Sequence, residues 1–145
     1  MNFATKELVL HEHNEQPADP EKYREILRAA LGPHGLTDIE YIGSRAVLGQ
    51  GSDTDYLILV EDQDSFRSSL LLGGWSLADG AQYDAPFYSA RHEGVNLIFT
   101  ESLELYVEKR SAHRISLYLH QKGFDLTDKS VRVDVYEAAH GNWTT

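Results

Sequence analysis

The sequence contains no cysteine. Disulfides, thiolate zinc sites and cysteine nucleophiles are thereby excluded. A reducing compartment agrees with that absence, and the expected location is the cytoplasm. No stretch approaches the roughly 20 consecutive apolar residues that a membrane-spanning helix needs, so no membrane partner is expected. Met1 to Leu10 has no basic segment leading into an apolar run, and no signal peptide is expected. Basic residues are also scarce. Lys and Arg number 13 against 23 Asp and Glu, a formal net charge of −10. A surface of that sign repels long nucleic acid unless cations cluster locally. It favours solubility, and it also suits docking on a basic protein.

The 145 residues suit one domain. A chain of that length buries about 68–70% of its unfolded surface and holds a core without covalent staples. Residues 1–18 are polar and irregular and read as an N-terminal arm. His11 and His13 share a face there if the arm is extended, but nothing nearby completes a metal site. Asp19 is placed to cap a helix with Pro20 at its first position. Tyr23, Ile26, Leu27, Ala30 and Leu31 follow at helical spacing, and Gly32-Pro33 ends the segment. Thr37 to Ile42 reads as a strand. Tyr56 to Val60 is an unbroken apolar run that reads as a central strand buried on both faces. Asp62 to Leu72 reads as a short helix with Phe66, Leu70 and Leu71 inward. Tyr83 to Arg91 and Val95 to Thr100 read as paired strands joined at His92-Glu93-Gly94. A helical stripe then begins at Leu103, Tyr106 and Val107 and continues through Ile115 and Leu119 until Gly123. Ser130 to His140 is ambiguous, and Ala138-Ala139 before Gly141 favours helix. There is no repeat and no internal linker, which gives one mixed α/β domain of the α+β type.

The stretch from Ile42 to Ile58 carries the chemistry. A strand ends in Gly43-Ser44, where the absence of a side chain lets backbone approach a ligand closely. Exposed amides and small residues there can hold phosphate. A glycine-containing loop follows, then Asp53 and Asp55 at the mouth of the buried strand. Residues two apart on a strand point the same way, so both carboxylates can converge on one cation. Mg²⁺ takes such hard oxygen ligands and usually shares them with substrate phosphates. Taken alone, Asp53-Thr54-Asp55 is an ordinary solvated turn. The upstream Gly-Ser element and the strands on both sides raise its weight.

Gly43-Ser44-Arg45-Ala46, Gly49 and Ser52-Asp53-Thr54-Asp55-Tyr56-Leu57 resemble, in order and spacing, the signature of the nucleotidyltransferase superfamily of DNA polymerase β-like proteins. The resemblance is strong from Ile39 to Val60 and weaker to Thr100. Gly94 to Thr100 and Val131 to Asn142 add a likeness to small nucleotidyltransferase-like proteins of tailed bacteriophages. The resemblance implies a small mixed sheet flanked by helices, occupying residues 19–145 as a single domain. It implies Mg²⁺ and a nucleoside triphosphate, with ATP the expected donor. Gly43, Ser44, Arg45 and Ser52 would bind the nucleotide, and Asp53 and Asp55 would hold the metal. The nucleotidyl group would pass to a hydroxyl of a protein, a small molecule or an RNA end. In a phage setting the location is the host cytoplasm.

The pattern breaks at one place. The family's third carboxylate belongs on the strand Val95 to Thr100, and the matching position holds Asn96. An amide brings no charge and cannot act as a general base. With a three-residue turn, Asn96 should face Ser89 or Ala90. Glu93, Asp84 and Glu101 then lie too far away to replace it, at roughly 3.3 Å per strand residue. Tyr88, Ser89 and Arg91 are candidates to line the cleft, although Tyr88 is more readily a core residue. Trp75 and Trp143 can each stack on a base, and packing is the plainer reading of both. Two functions follow. One is a Mg²⁺-dependent nucleotidyltransferase using Asp53, Asp55 and Asn96. The other is a catalytically impaired protein on the same fold that binds or inhibits a host factor.

Overall fold

A computed structural model describes residues 17–51, 53–78, 87–128, 130–131 and 134. His11, His13, Ser52, Asp84, Trp143 and most of the segment from Ser130 to His140 lie outside the described residues, as does the first part of the strand expected from Tyr83.

Helix α1 spans Pro20–Leu31. Asp19 caps it by accepting a hydrogen bond from the Lys22 amide at 3.1 Å, and Pro20 takes the first turn, where its missing N–H costs nothing. Tyr23, Leu27, Ala30 and Leu31 form its buried stripe. A 3₁₀ turn at Gly32–His34 and Gly35 at φ 99° redirect the chain into strand β1, Leu36–Ile42. A short helix α2, Gly43–Leu48, leads to strand β2, Thr54–Val60. Helix α3, Gln63–Leu72, starts at Asp62, whose Oδ1 accepts from the amides of Asp64 and Ser65. Strands β3 (Ser76–Ala78), β4 (Tyr88–His92) and β5 (Val95–Thr100) come next. Helix α4, Leu103–Gln121, is capped by the Ser102 hydroxyl.

The five strands form one sheet in the order β1-β2-β5-β4-β3. β2 and β5 run parallel in its middle, and every other pairing is antiparallel. Alternation along the strands divides the core in two. On one face Tyr56, Ile58 and Val60 of β2 and Val95, Leu97 and Phe99 of β5 pack with Tyr23, Leu27 and Leu31 of α1 and Phe66 and Leu70 of α3. The Phe66 ring meets Phe99 edge-on at 5.0 Å. On the other face Ile42, Leu57, Phe87 and Ile98 pack under Tyr106 of α4. Arg114 fastens α4 to β1 through two hydrogen bonds to the Glu40 carboxylate, at 3.1 and 2.7 Å. Among the described residues no helix is long and apolar enough to cross a membrane.

Four features depart from expectation. The stretch after β1 is a six-residue helix rather than a loop. β2 begins at Thr54, two residues early, because Thr54 and Asp55 pair with Val95 and Asn96 despite their polarity. Leu71 is 61% exposed, since helix α3 turns only Phe66 and Leu70 onto the sheet. Leu103 and Val107 are exposed as well. The inward face of α4 is Tyr106, Ala112, His113 and Ser116. At 3.6 residues per turn these fall within an arc of about 120° on one side of Tyr106, and Leu103 and Val107 fall on the other side.

Candidate functional site

The cleft is built from the backbone upward. β1 ends at Ile42, and Gly43 turns the chain at φ 90° into α2. A side chain there would be strained by that torsion. It would also collide, because a Cβ on Gly43 would lie 2.2 Å from Asp55 Oδ2. The glycine therefore brings bare backbone against the Asp55 carboxylate. Gly51 plays a similar part. Its Cβ would lie 2.7 Å from the Ser44 hydroxyl and 3.1 Å from the Arg45 amide nitrogen, so the loop after α2 lies folded against the first turn of that helix.

Strand pairing then aligns the side chains. Asp55 is opposite Ile42 of β1 on one side and Asn96 of β5 on the other. Asn96 is in turn opposite Arg91 of β4. Ile42, Asp55, Asn96 and Arg91 thus form a row across four strands, on the face that carries α4. Asn96 is buried and Asp55 half-buried. Asp53 precedes the strand, and the Arg91 guanidinium ion-pairs with its Oδ2. Thr54 between the carboxylates is fully buried, and its amide donates to Gly94 O at 2.8 Å.

The structure therefore brings Gly43, Ser44, Asp53, Asp55 and Asn96 to one end of the sheet. Arg91, rather than Ser89 or Ala90, faces Asn96. The turn is two residues, Glu93-Gly94, because His92 already pairs with Val95. Arg45 is half-buried, and its Nη1 donates to Pro17 O at 2.9 Å and to Thr54 Oγ1 at 2.6 Å. One arm of its fork is committed to joining the start of α1 to β2. Ser89 is buried on the cleft face opposite Ile98, and Tyr88 points to the other face, stacked on Phe99. Trp75 is 2% exposed and packs in the core beside the His92 ring. Glu101 lies at the far end of β5, where it accepts from the Gln63 amide at 3.1 Å. Glu93 occupies the exposed turn at φ 54°.

Among the described residues no group of three or more His, Cys, Asp and Glu is placed to hold a metal. Two carboxylates and a buried amide suit one Mg²⁺, which binds through one or two carboxylates with substrate phosphates completing its shell. They do not suit a second ion. Arg91 already supplies one positive charge to Asp53, and Asn96 supplies no negative one.

A pocket of about 150 Å³ adjoins the cleft, with Gly43 in its wall. Ile42 and Val47 line it from one side, and Lys109, His113 and Ser116 from α4. Burial holds the His113 imidazole below its ordinary pKa, against the opposing pull of the Glu40 carboxylate. These α4 residues escaped the sequence reading, which followed apolar spacing along the helix. Their own spacing of four and three, which puts polar groups on one helical face, was the available signal.

No family model matches the chain, and no curated protein matches it. A solved structure does, described as the crystal structure of conserved protein GrpB from Enterococcus faecalis. The superposition has a TM-score of 0.56 at 13% sequence identity and covers 88% of this chain and 96% of that one. At that identity the likeness speaks to fold alone. The likeness agrees with the α+β architecture seen here, a five-stranded mixed sheet flanked by helices.

Proposed function

We propose that the cleft binds a nucleoside triphosphate, with ATP the first candidate, and transfers its nucleotidyl group to an acceptor hydroxyl with release of pyrophosphate. The observation that carries this reading is the row Asp55-Asn96-Arg91 set against the bare backbone of Gly43. Asp53 and Asp55 would hold Mg²⁺. When bound, that ion would offset phosphate charge and orient the triphosphate. Gly43 lets the backbone at the start of α2 lie against the Asp55 carboxylate, and Ser44 offers a hydroxyl donor. Arg91, half exposed and next to Asp53, can exchange its carboxylate partner for a phosphate, which matches its planar fork equally well. The acceptor is a protein or small-molecule hydroxyl in preference to RNA, because the net charge of −10 opposes a polyanion.

Thermal melts with each nucleoside triphosphate, with and without Mg²⁺, test the reading. Ligand at about 100 times its dissociation constant stabilises by about 2.7 kcal/mol. That raises the midpoint by several degrees in a domain of this size. The expected result is a Mg²⁺-dependent shift that Asp55→Ala removes. A flat response to every nucleotide would refute it.

The Arg91–Asp53 ion pair and the amide at position 96 favour a second reading. In it the fold has given up transfer and serves, in a phage setting, to bind a host protein. Pyrophosphate release separates the two, since only the first reading requires it.

A further inference from the structure

We propose that the pocket between α2 and α4 seats the acceptor group, and that the His113 imidazole takes the proton of the attacking hydroxyl, the task that Asn96 cannot perform. This inference rests on the nucleotidyl-transfer reading above and assigns the base which that reading lacks.

Position is the first support. Gly43 is a wall common to both sites, since it abuts the Asp55 carboxylate and also lines the pocket. An acceptor lodged there sits next to the place where the triphosphate would lie. Lining chemistry is the second. Ile42 and Val47 give an apolar floor, and Lys109, His113 and Ser116 converge from one face of α4. A volume of about 150 Å³ accommodates a ring roughly the size of benzene. That suits a small hydroxyl-bearing group and not a second nucleotide.

The state of His113 is the third support. The residue is 9% exposed and its side chain lines the pocket, so a hydroxyl lodged there lies beside the ring. Burial lowers the pKa of the ring. Glu40 of β1 opposes that, and Arg114 of α4 reinforces it. Lys109 is the other charged group at the pocket, and α2 brings none there. The outcome is a neutral imidazole at pH 7, the form that can accept a proton.

The step balances with these groups. The acceptor O–H bond breaks and its proton passes to an imidazole nitrogen. The oxygen forms a bond to the α-phosphorus. The bond from that phosphorus to the bridging oxygen breaks, and its electron pair leaves with pyrophosphate. The imidazolium then returns its proton to solvent.

The test uses the intact chain with Mg·ATP and glycerol as the probe hydroxyl. Melting midpoints report nucleotide binding, and pyrophosphate release across pH reports transfer. His113→Gln and His113→Ala should keep the wild-type Mg·ATP melting shift. Both should lower pyrophosphate release by about 10²-fold or more, the usual contribution of a general base, and erase the fall in rate at acid pH. Asn96→Asp in the His113→Gln background should restore part of the rate. Two results overturn the inference alone: His113 variants as fast as wild type, or variants that lose the melting shift together with the rate. A wild type that binds Mg·ATP without releasing pyrophosphate overturns the transfer reading and this inference with it. A wild type with no melting shift sinks the nucleotide reading itself, and this inference with it.

Discussion

Replacing Gly43 by alanine probes the join between α2 and β2. Two costs combine. The φ of 90° lies in the left-handed region, where an L side chain costs about 1–2 kcal/mol. The new methyl carbon would also lie 2.2 Å from Asp55 Oδ2 and 2.9 Å from its Cγ, so the carboxylate must move. Overpacking of that kind costs about 1–3 kcal/mol. The sum is about 2–5 kcal/mol, which lowers the melting midpoint by roughly 5–15 °C at this chain length. Gly49→Ala is the matched control. Its φ is 81°, and nothing lies within 4 Å of the added carbon, so only the torsional cost applies. Urea denaturation of both variants, and of each combined with Asp55→Ala, gives the comparison. Removing the Asp55 carboxylate should relieve Gly43→Ala and leave Gly49→Ala unchanged, a coupling of about 1–3 kcal/mol at the first position. Additive losses at Gly43 and Asp55, or equal losses at Gly43 and Gly49, would refute the close contact on which the site is built.

Arg91→Gln should change stability by less than about 1 kcal/mol, because the ion pair is solvent-exposed, and it should strengthen Mg²⁺ binding at Asp53, read by a metal titration. His113 contributes stability at pH values above its ordinary range, where it is neutral both folded and unfolded. Because burial depresses its folded pKa, that contribution is lost as pH falls below about 6.5 toward the folded value. His113→Gln should flatten this part of the profile, measured by urea midpoints from about pH 7.5 to about 5. Phe66→Ala removes a fully buried ring from the face under α1 and α3 and should cost about 3–5 kcal/mol without altering the Mg·ATP shift, as seen by comparing melts with and without nucleotide.

Local chemistry made much of this fold readable. Asp19-Pro20 marked the start of α1, and Val95–Thr100 stood out as apolar residues after a turn. The two faces of Tyr56 to Val60 followed from its unbroken hydrophobicity. What escaped notice depended on partners. α2 is too short for a periodic signal and is bounded by glycines. β3 has three residues. Asp55 counts as strand only because β5 lies alongside it. In the candidate site, the order and spacing of Gly43, Asp53 and Asp55 marked them out, and Asn96 was marked out by the family resemblance; the structure places all four at one end of the sheet. Arg91 opposite Asn96 was not, since a one-residue difference in turn length changes which residues face each other across a hairpin. Lys109 and His113 were missed for another reason: a polar stripe on a helix looks like a solvated face until the structure shows it turned inward.

The parallel pairing of β2 with β5 also has a kinetic consequence. Asp55 and Asn96 belong to strands separated in the sequence by α3, β3 and β4. Neighbouring hairpins can zip locally, whereas this central pair requires closure of a long loop, the slow kind of contact in folding. The cleft should therefore be among the last parts to assemble. During synthesis, a chain that has emerged only as far as β4 would carry both carboxylates without their neighbour Asn96. Ligand binding would then appear abruptly with the docking of β5, which makes nucleotide capture a time-resolved marker for completion of the sheet.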